Sequence, residues 1–177
     1  DMGLGLSIVY EEIGPAVETN ITVDYSYSIN TSETAKLSFG LKGGIDLLDL
    51  DFSKLNLPTG VDDPYFRENN IDNKVQPQIG AGVYYNTERF YAGLSVPQTF
   101  GLSTEFRTEE KDFFIERTQH VYAIVGAYFD AAFLGNEASF IEPSIWLKYV
   151  PNAPLSADLN ARYQDGQTFW VGLGGGL

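Results

Sequence analysis

Polar and apolar residues alternate along most of the chain. The segment 154–164 keeps this period of two best: Leu155, Ala157, Leu159, Ala161 and Tyr163 fall on one face, and Ser156, Asp158, Asn160, Arg162 and Gln164 on the other. In 20–29, Ile21, Val23, Tyr25, Tyr27 and Ile29 oppose Asn20, Thr22, Asp24, Ser26 and Ser28. In 36–47, Leu37, Phe39, Leu41, Ile45 and Leu47 oppose Lys36, Ser38, Lys42 and Asp46. Successive side chains of a strand point to opposite sides, so alternation of this length predicts strands with one dry and one wet face. Less regular strands are predicted at 2–11, 75–86, 89–97, 118–132, 138–150 and 167–175, which brings the total to about nine. No helix of useful length is predicted.

Pro77 and Pro143 stand inside predicted strands, where a proline removes a ladder donor, and Pro97 and Pro154 lie beside others. Tight turns are predicted at Asn30-Thr31-Ser32-Glu33, Asn86-Thr87-Glu88, Gly135-Asn136-Glu137 and Asp165-Gly166, the last a two-residue hairpin signal. Between them lie longer connections at about 12–16, 52–74 and 98–117, and the short Pro151-Asn152-Ala153. Alternate connections of an up-and-down sheet share an end, so all the tight ones gather on one side. Short turns at one end and longer loops at the other is the layout of outer-membrane barrels. Tyr84, Tyr85, Phe90, Tyr91, Tyr128, Phe129, Tyr163, Phe169 and Trp170 cluster beside the tight turns, where a barrel carries an aromatic girdle at the membrane interface.

Composition narrows this picture without deciding it. The 177 residues fit a single domain spanning 1–177, and 44% hydrophobic residues with a mean hydropathy of -0.14 would also suit a soluble protein. The 11 Tyr, 12 Phe, 2 Trp and 18 Gly favour β structure. A net charge of -13 argues against nucleic acid, which needs clustered Lys and Arg. With no cysteine, disulfides and thiolate metal sites are excluded. No apolar run approaches the roughly 18 residues of a membrane helix, which says nothing against strands. Neither Asp1-Met2-Gly3-Leu4 nor Gly174-Gly175-Gly176-Leu177 looks like a natural end, and no leader is visible, so both ends are expected to be cut from a longer protein. The fragment is then expected not to close on itself.

Two folds fit the alternation. A soluble β-sandwich or lipocalin-like barrel would turn the dry faces inward. A transmembrane β-barrel of antiparallel up-and-down strands would turn them outward, with Leu155, Leu159, Ile21, Val23 and Phe39 on lipid and Asp158, Arg162 and Asp24 in the lumen. The Gly and Ala mixed into the dry faces suit the second reading better.

Three stretches carry a family resemblance. Pro77-Gln78-Ile79-Gly80-Ala81-Gly82-Val83-Tyr84-Tyr85 turns tightly into Arg89-Phe90-Tyr91-Ala92-Gly93-Leu94-Ser95-Val96-Pro97. Pro143-Ser144-Ile145-Trp146-Leu147-Lys148-Tyr149-Val150 continues through Pro151-Asn152-Ala153-Pro154-Leu155-Ser156-Ala157-Asp158-Leu159-Asn160 to Phe169-Trp170-Val171-Gly172-Leu173. A third stretch is Leu37-Ser38-Phe39-Gly40-Leu41-Lys42-Gly43-Gly44, with Asp63-Pro64-Tyr65-Phe66 in the following loop. In order and spacing the chain resembles the type IX secretion system membrane protein family PorP/SprF. The resemblance implies an outer-membrane barrel, lacking both ends here, that works with the secretion and gliding machinery and partners large secreted surface proteins such as adhesins.

No catalytic constellation accompanies these features, and the chain is expected not to be an enzyme. His120 is the one histidine and has no nucleophile beside it in sequence. The pairs Asp62–Asp63 and Glu109–Glu110 are adjacent acids that point apart. Asp46, Asp49 and Asp51 lack the Gly and terminal Glu of an EF-hand loop. Neither a metal nor a cofactor is expected.

Two functions remain open. The barrel anchors or helps export a surface protein, or it is a transport pore for small solutes, its lumen lined by Asp24, Lys36, Lys42, Asp130, Glu142, Lys148, Asp158 and Arg162. Partner binding is expected at the long loops, because long connections without structure of their own carry function. The candidate anchors are Asp63, Pro64, Tyr65 and Phe66 in the first loop and Phe113 and Phe114 in the second. The alternative is that these aromatics pack on the barrel rim or fold into the lumen.

Overall fold

The structure is a computed structural model. It describes residues 1–50, 71–98, 103–107, 112–116 and 118–177, with side chains described in 1–50, 74–98 and 118–177. Every regular element among the described residues is a strand: β1 (Met2–Ile13), β2 (Ala16–Asn30), β3 (Ala35–Leu50), β4 (Ile71–Thr87), β5 (Phe90–Val96), β6 (Ser103–Arg107), β7 (Asp112–Glu116), β8 (Val121–Ala127), β9 (Phe129–Asp130), β10 (Phe140–Tyr149), β11 (Ser156–Asp165) and β12 (Phe169–Gly176). One antiparallel sheet runs β1-β2-β3-β4-β5-β8-β10-β11-β12, with β9 beside β10. Each traverse pairs with the next in sequence, which is the up-and-down order expected.

The nine traverses match the nine expected strands. β8 and β9 are one traverse, because Ser144↔Gly126 and Ile141↔Phe129 keep a single register across the gap at Tyr128. Pro143 lies in β10 opposite Ala127, beside that gap, and has no amide to donate. Pro77 is accommodated differently. β5 pairs with β4 only from Ala81 onward, so the start of β4, Pro77 included, is laddered to β3 alone.

The connections correct several expectations. The first is not a loop at 12–16: β1 and β2 ladder to Ile13↔Ala16, leaving Gly14-Pro15 as the whole turn. Gly14 has φ 61, which glycine adopts without strain, and proline supplies the fixed negative φ after it. The β11–β12 turn has three residues rather than two, 166–168, closed by the Thr168 amide on the Asp165 carbonyl at 3.0 Å. Gly135-Asn136-Glu137 lies within a longer connection, 131–139, that is compact because it satisfies itself. Asn136 N donates to Ser139 Oγ at 2.9 Å, and Ser139 Oγ donates to Asp165 Oδ1 at 2.7 Å. The second long connection is not featureless either, since it holds the β6–β7 hairpin.

Which side of the sheet is dry is plain from exposure. Polar residues are among the most buried: Thr22 and Asp46 are each 1% exposed, and Gln76 and Ser139 are buried alongside Ala35, Leu48, Tyr91 and Ala131. The large apolar residues stand out instead, with Leu4 80% and Leu41 61% exposed, and Leu94, Val125, Leu159 and Leu173 exposed in the same way. The register puts all of these on one face, because Leu4↔Tyr25, Tyr25↔Leu41 and Leu41↔Ala81 continue through Ala81↔Val96 across the sheet. An apolar outer face over a polar inner face is stable only where the solvent outside is itself apolar. The soluble sandwich is thereby overturned. Among the described residues the sheet is open, with β1 and β12 as its edges.

Candidate functional site

The polar face is the indented one. Recesses of about 500 and 610 Å³ open on it, each lined from several strands. Its side chains follow one parity: even positions in β2, β3, β4, β8, β10 and β11, and odd positions in β1 and β5, as fixed by Asp24↔Lys42, Gly82↔Ser95 and Glu142↔Arg162.

Charges on this face are matched across the ladder. Lys36 Nζ meets Asp1 Oδ2 at 2.7 Å, Lys42 meets Asp24 at 3.8 Å, and Lys148 meets Asp158 at 2.6 Å. Arg162 pairs with Glu142, whose Oε1 also accepts the Tyr91 hydroxyl at 2.6 Å. Of the expected lumen charges, all but Asp130 are thus in ion pairs among the described residues. Toward the long-loop end, Asp46 is held by amides rather than cations: Asn20 Nδ2 donates to Oδ1, and Gln78 Nε2 donates to Oδ2 at 3.2 Å. Asp49 falls on the opposite face from Asp46, since β3 alternates regularly there against β2, and Asp51 lies outside the described residues. His120 lies on the polar side, its Nδ1 2.8 Å from the Thr118 carbonyl oxygen and its ring stacked on Tyr122.

The aromatic girdle needs correction. Tyr85, Phe90, Phe129, Tyr163 and Phe169 have the outward parity, and Tyr85–Phe90 and Tyr163–Phe169 are ring contacts at 5.7 and 6.2 Å. Tyr84, Tyr91 and Tyr128 face inward instead. With Phe140 they make a chain of ring contacts, Tyr84–Tyr91–Tyr128–Phe140, at 6.0, 5.6 and 5.5 Å. Trp170 has the inward parity too, through Gln164↔Trp170. Tyr91 is almost fully buried because Gly126, its cross-strand partner, leaves room for the ring. Adjacency to a turn does not tell the two sets apart; counting register through the two-residue turn 88–89 does.

Of the expected partner residues, Asp63, Pro64, Tyr65 and Phe66 lie outside the described residues. Phe113 and Phe114 belong to β7, whose backbone pairs them with Phe106 and Glu105. Sequence reasoning missed the inward Tyr122 and Trp146, whose rings lie 6.1 Å apart, with Lys148 Nζ 4.9 Å over the indole.

An up-and-down antiparallel sheet with lipid-compatible residues outside and a paired polar lining inside defines a β-barrel type of membrane protein wall. The family comparison agrees: residues 1–175 match the model for the type IX secretion system membrane protein PorP/SprF, and the chain belongs to that family. No curated protein and no solved structure matches significantly.

Proposed function

We propose that this chain forms part of an outer-membrane β-barrel that, with other components of the type IX secretion system, anchors or helps export a large surface protein without catalysing a reaction. The observation that carries the membrane part is the inverted polarity, with Leu41 out and Asp46 in on the same strand. Family membership supports the secretion role. The polar lining supports it indirectly, because most of its charges are engaged by partners on the same face and leave recognition to the ends of the barrel.

Docking falls to the long connections between β3 and β4 and between β5 and β8, with Asp63, Pro64, Tyr65, Phe66, Phe113 and Phe114 as contacts. Aromatic anchors inside a polar rim are what interface hot spots are made of. The test replaces Tyr65 and Phe66 together with Ala in the full-length protein and measures surface display of the secreted adhesin by antibody labelling of whole cells. Display should fall at least several-fold while the barrel keeps its heat-modifiable migration. Unchanged display, or loss of the barrel itself, refutes docking at that loop. The pore reading draws on the open recesses of the polar face, and a steady single-channel conductance from the reconstituted full-length protein would favour it instead.

A further inference from the structure

We infer that the inner face carries a binding groove for a neutral oligosaccharide. The inference rests on reading the polar face as a lumen. The groove measures about 610 Å³, within the roughly 300–1,000 Å³ typical of ligand sites. Its walls are Tyr84, Tyr122, Ile124 and Trp146, and its floor includes Gly40 and Gly82.

Three features select the ligand. First, Trp146 is 42% exposed on the face that lipid does not reach, although Lys148 already covers one side of its indole. A polar lining has no use for bare indole, whereas the apolar face of a sugar ring does. Second, the charges nearest the groove are paired, Asp24–Lys42 and Asp158–Lys148, while Ser26 and Ser95 supply hydroxyls at the rim, Ser38 Oγ being hydrogen-bonded to Ser28 Oγ at 2.8 Å. That lining matches a ligand with hydroxyls and no net charge. Third, the groove lies across the middle of the sheet, where the backbone of β3, β4 and β5 is committed to its ladders. An extended peptide adds to a sheet through an open edge, which this place does not offer.

The glycines separate packing from vacancy. A Cβ on Gly93 would press on Tyr84 and Ile124 at 3.0 and 3.1 Å, so Gly93 serves the wall. A Cβ on Gly40 would meet only the Gly82 carbonyl oxygen, at 3.9 Å. The wall therefore tolerates a side chain at position 40, and glycine there leaves the floor open, although it weakens a strand interior.

The test is equilibrium dialysis of the full-length, detergent-solubilised protein against radiolabelled maltohexaose, cellohexaose, mannohexaose and N-acetylchitohexaose. At least one should bind saturably, and Gly40→Val, with unchanged heat-modifiable migration, should weaken it at least tenfold. Should that variant not fold, Trp146→Leu, at a half-exposed ring, is expected to give the same loss. The proposal is overturned if none of the four saturates, if the folded variant binds as the parent does, or if an unstructured peptide saturates the groove and the sugars do not. Loss of sugar binding by a folded barrel leaves the docking proposal standing, and loss of adhesin display by the Tyr65/Phe66 variant leaves the groove standing.

Discussion

The two halves of the sheet share an outer face and differ inside. From β1 to β4 the inward positions are mostly small or polar: Gly3 and Gly5, then Thr22 and Ser26, then Ser38, Gly40 and Gly44, with Leu48 and Tyr84 as large exceptions. From β5 to β11 large side chains gather among them: Tyr91, Tyr122, Ile124, Tyr128, Phe140 and Trp146, with Glu142–Arg162 and Lys148–Asp158 between them. Outward, Leu4, Val23, Leu41 and Ile79 of the first half have the same character as Leu94, Val125, Leu159 and Leu173 of the second. Lipid is one solvent all round the wall, so it imposes one residue class outside. Nothing comparable constrains the interior, and the contrast between its halves is where a specific function can reside.

The outer face gives the largest expected effect. Leu41→Arg places a cation on the lipid face near the middle of β3 and should cost about 2–4 kcal/mol in a bilayer. Ser26→Arg, inward and one ladder from the edge strand, should cost less than about 1 kcal/mol, because a polar lumen hydrates the new charge. Urea unfolding of full-length protein in phospholipid vesicles measures both. Equal costs would mean that the two faces meet the same solvent, and the membrane reading would not survive that result.

Next in size is the ionic layer of the second half. Glu142→Ala strands Arg162 and removes the acceptor of the Tyr91 hydroxyl, so about 2 kcal/mol should be lost in the same assay. Tyr91→Phe should cost only about 1 kcal/mol, since the Glu142–Arg162 pair survives it. If Tyr91→Phe is the worse of the two, the hydroxyl rather than the ion pair organises this layer.

Much of this was legible in the sequence, and the failures have physical causes. Alternation in 20–29, 36–47 and 154–164 located β2, β3 and β11 and their dry faces, because lipid on one side and water on the other demand opposite residues at each step. β1 and β2 run past their expected limits, to Ile13 and from Ala16, since Glu11, Glu12, Glu18 and Thr19 break the alternation without breaking the ladder. β6 and β7 read as loop in the sequence because charges crowd 105–116. Tyr84 and Tyr85 are neighbours that face opposite sides, and only register through the next turn decides between them. The groove was hidden for a related reason: Gly40, Tyr84, Tyr122 and Trp146 come from four strands, and no local spacing joins them. The expected partner residues Asp63, Pro64, Tyr65 and Phe66 lie outside the described residues, so their placement rests on sequence alone.

Glycine provides a sharper comparison of the halves. A Cβ on Gly126 would enter the Tyr91 ring, so Gly126→Ala should cost about 1–2 kcal/mol by overpacking. Gly40→Ala meets open space and should be neutral or stabilising by up to about 1 kcal/mol, through the reduced freedom of the unfolded chain. A large penalty at Gly40 would show that the first half is packed as closely as the second.

The smallest expected effects separate the two lysine pairs. Lys42 and Asp24 stand 3.8 Å apart, and both are more than a third exposed, so Lys42→Ala should cost no more than about 0.5 kcal/mol. Lys148 is nearly as exposed, but its ammonium lies 2.6 Å from Asp158 and also sits over the Trp146 ring. The ring contact adds about 0.5–1 kcal/mol at such a site, and it is less sensitive to salt than the ion pair. Lys148→Ala should therefore cost about 1 kcal/mol, and part of that cost should persist when unfolding is repeated at high ionic strength, while the Lys42 effect vanishes. Equal costs that disappear together in salt would show that the indole adds nothing to the Lys148 pair, and the energetic distinction between the halves would then rest on Tyr91, Glu142 and Arg162 alone.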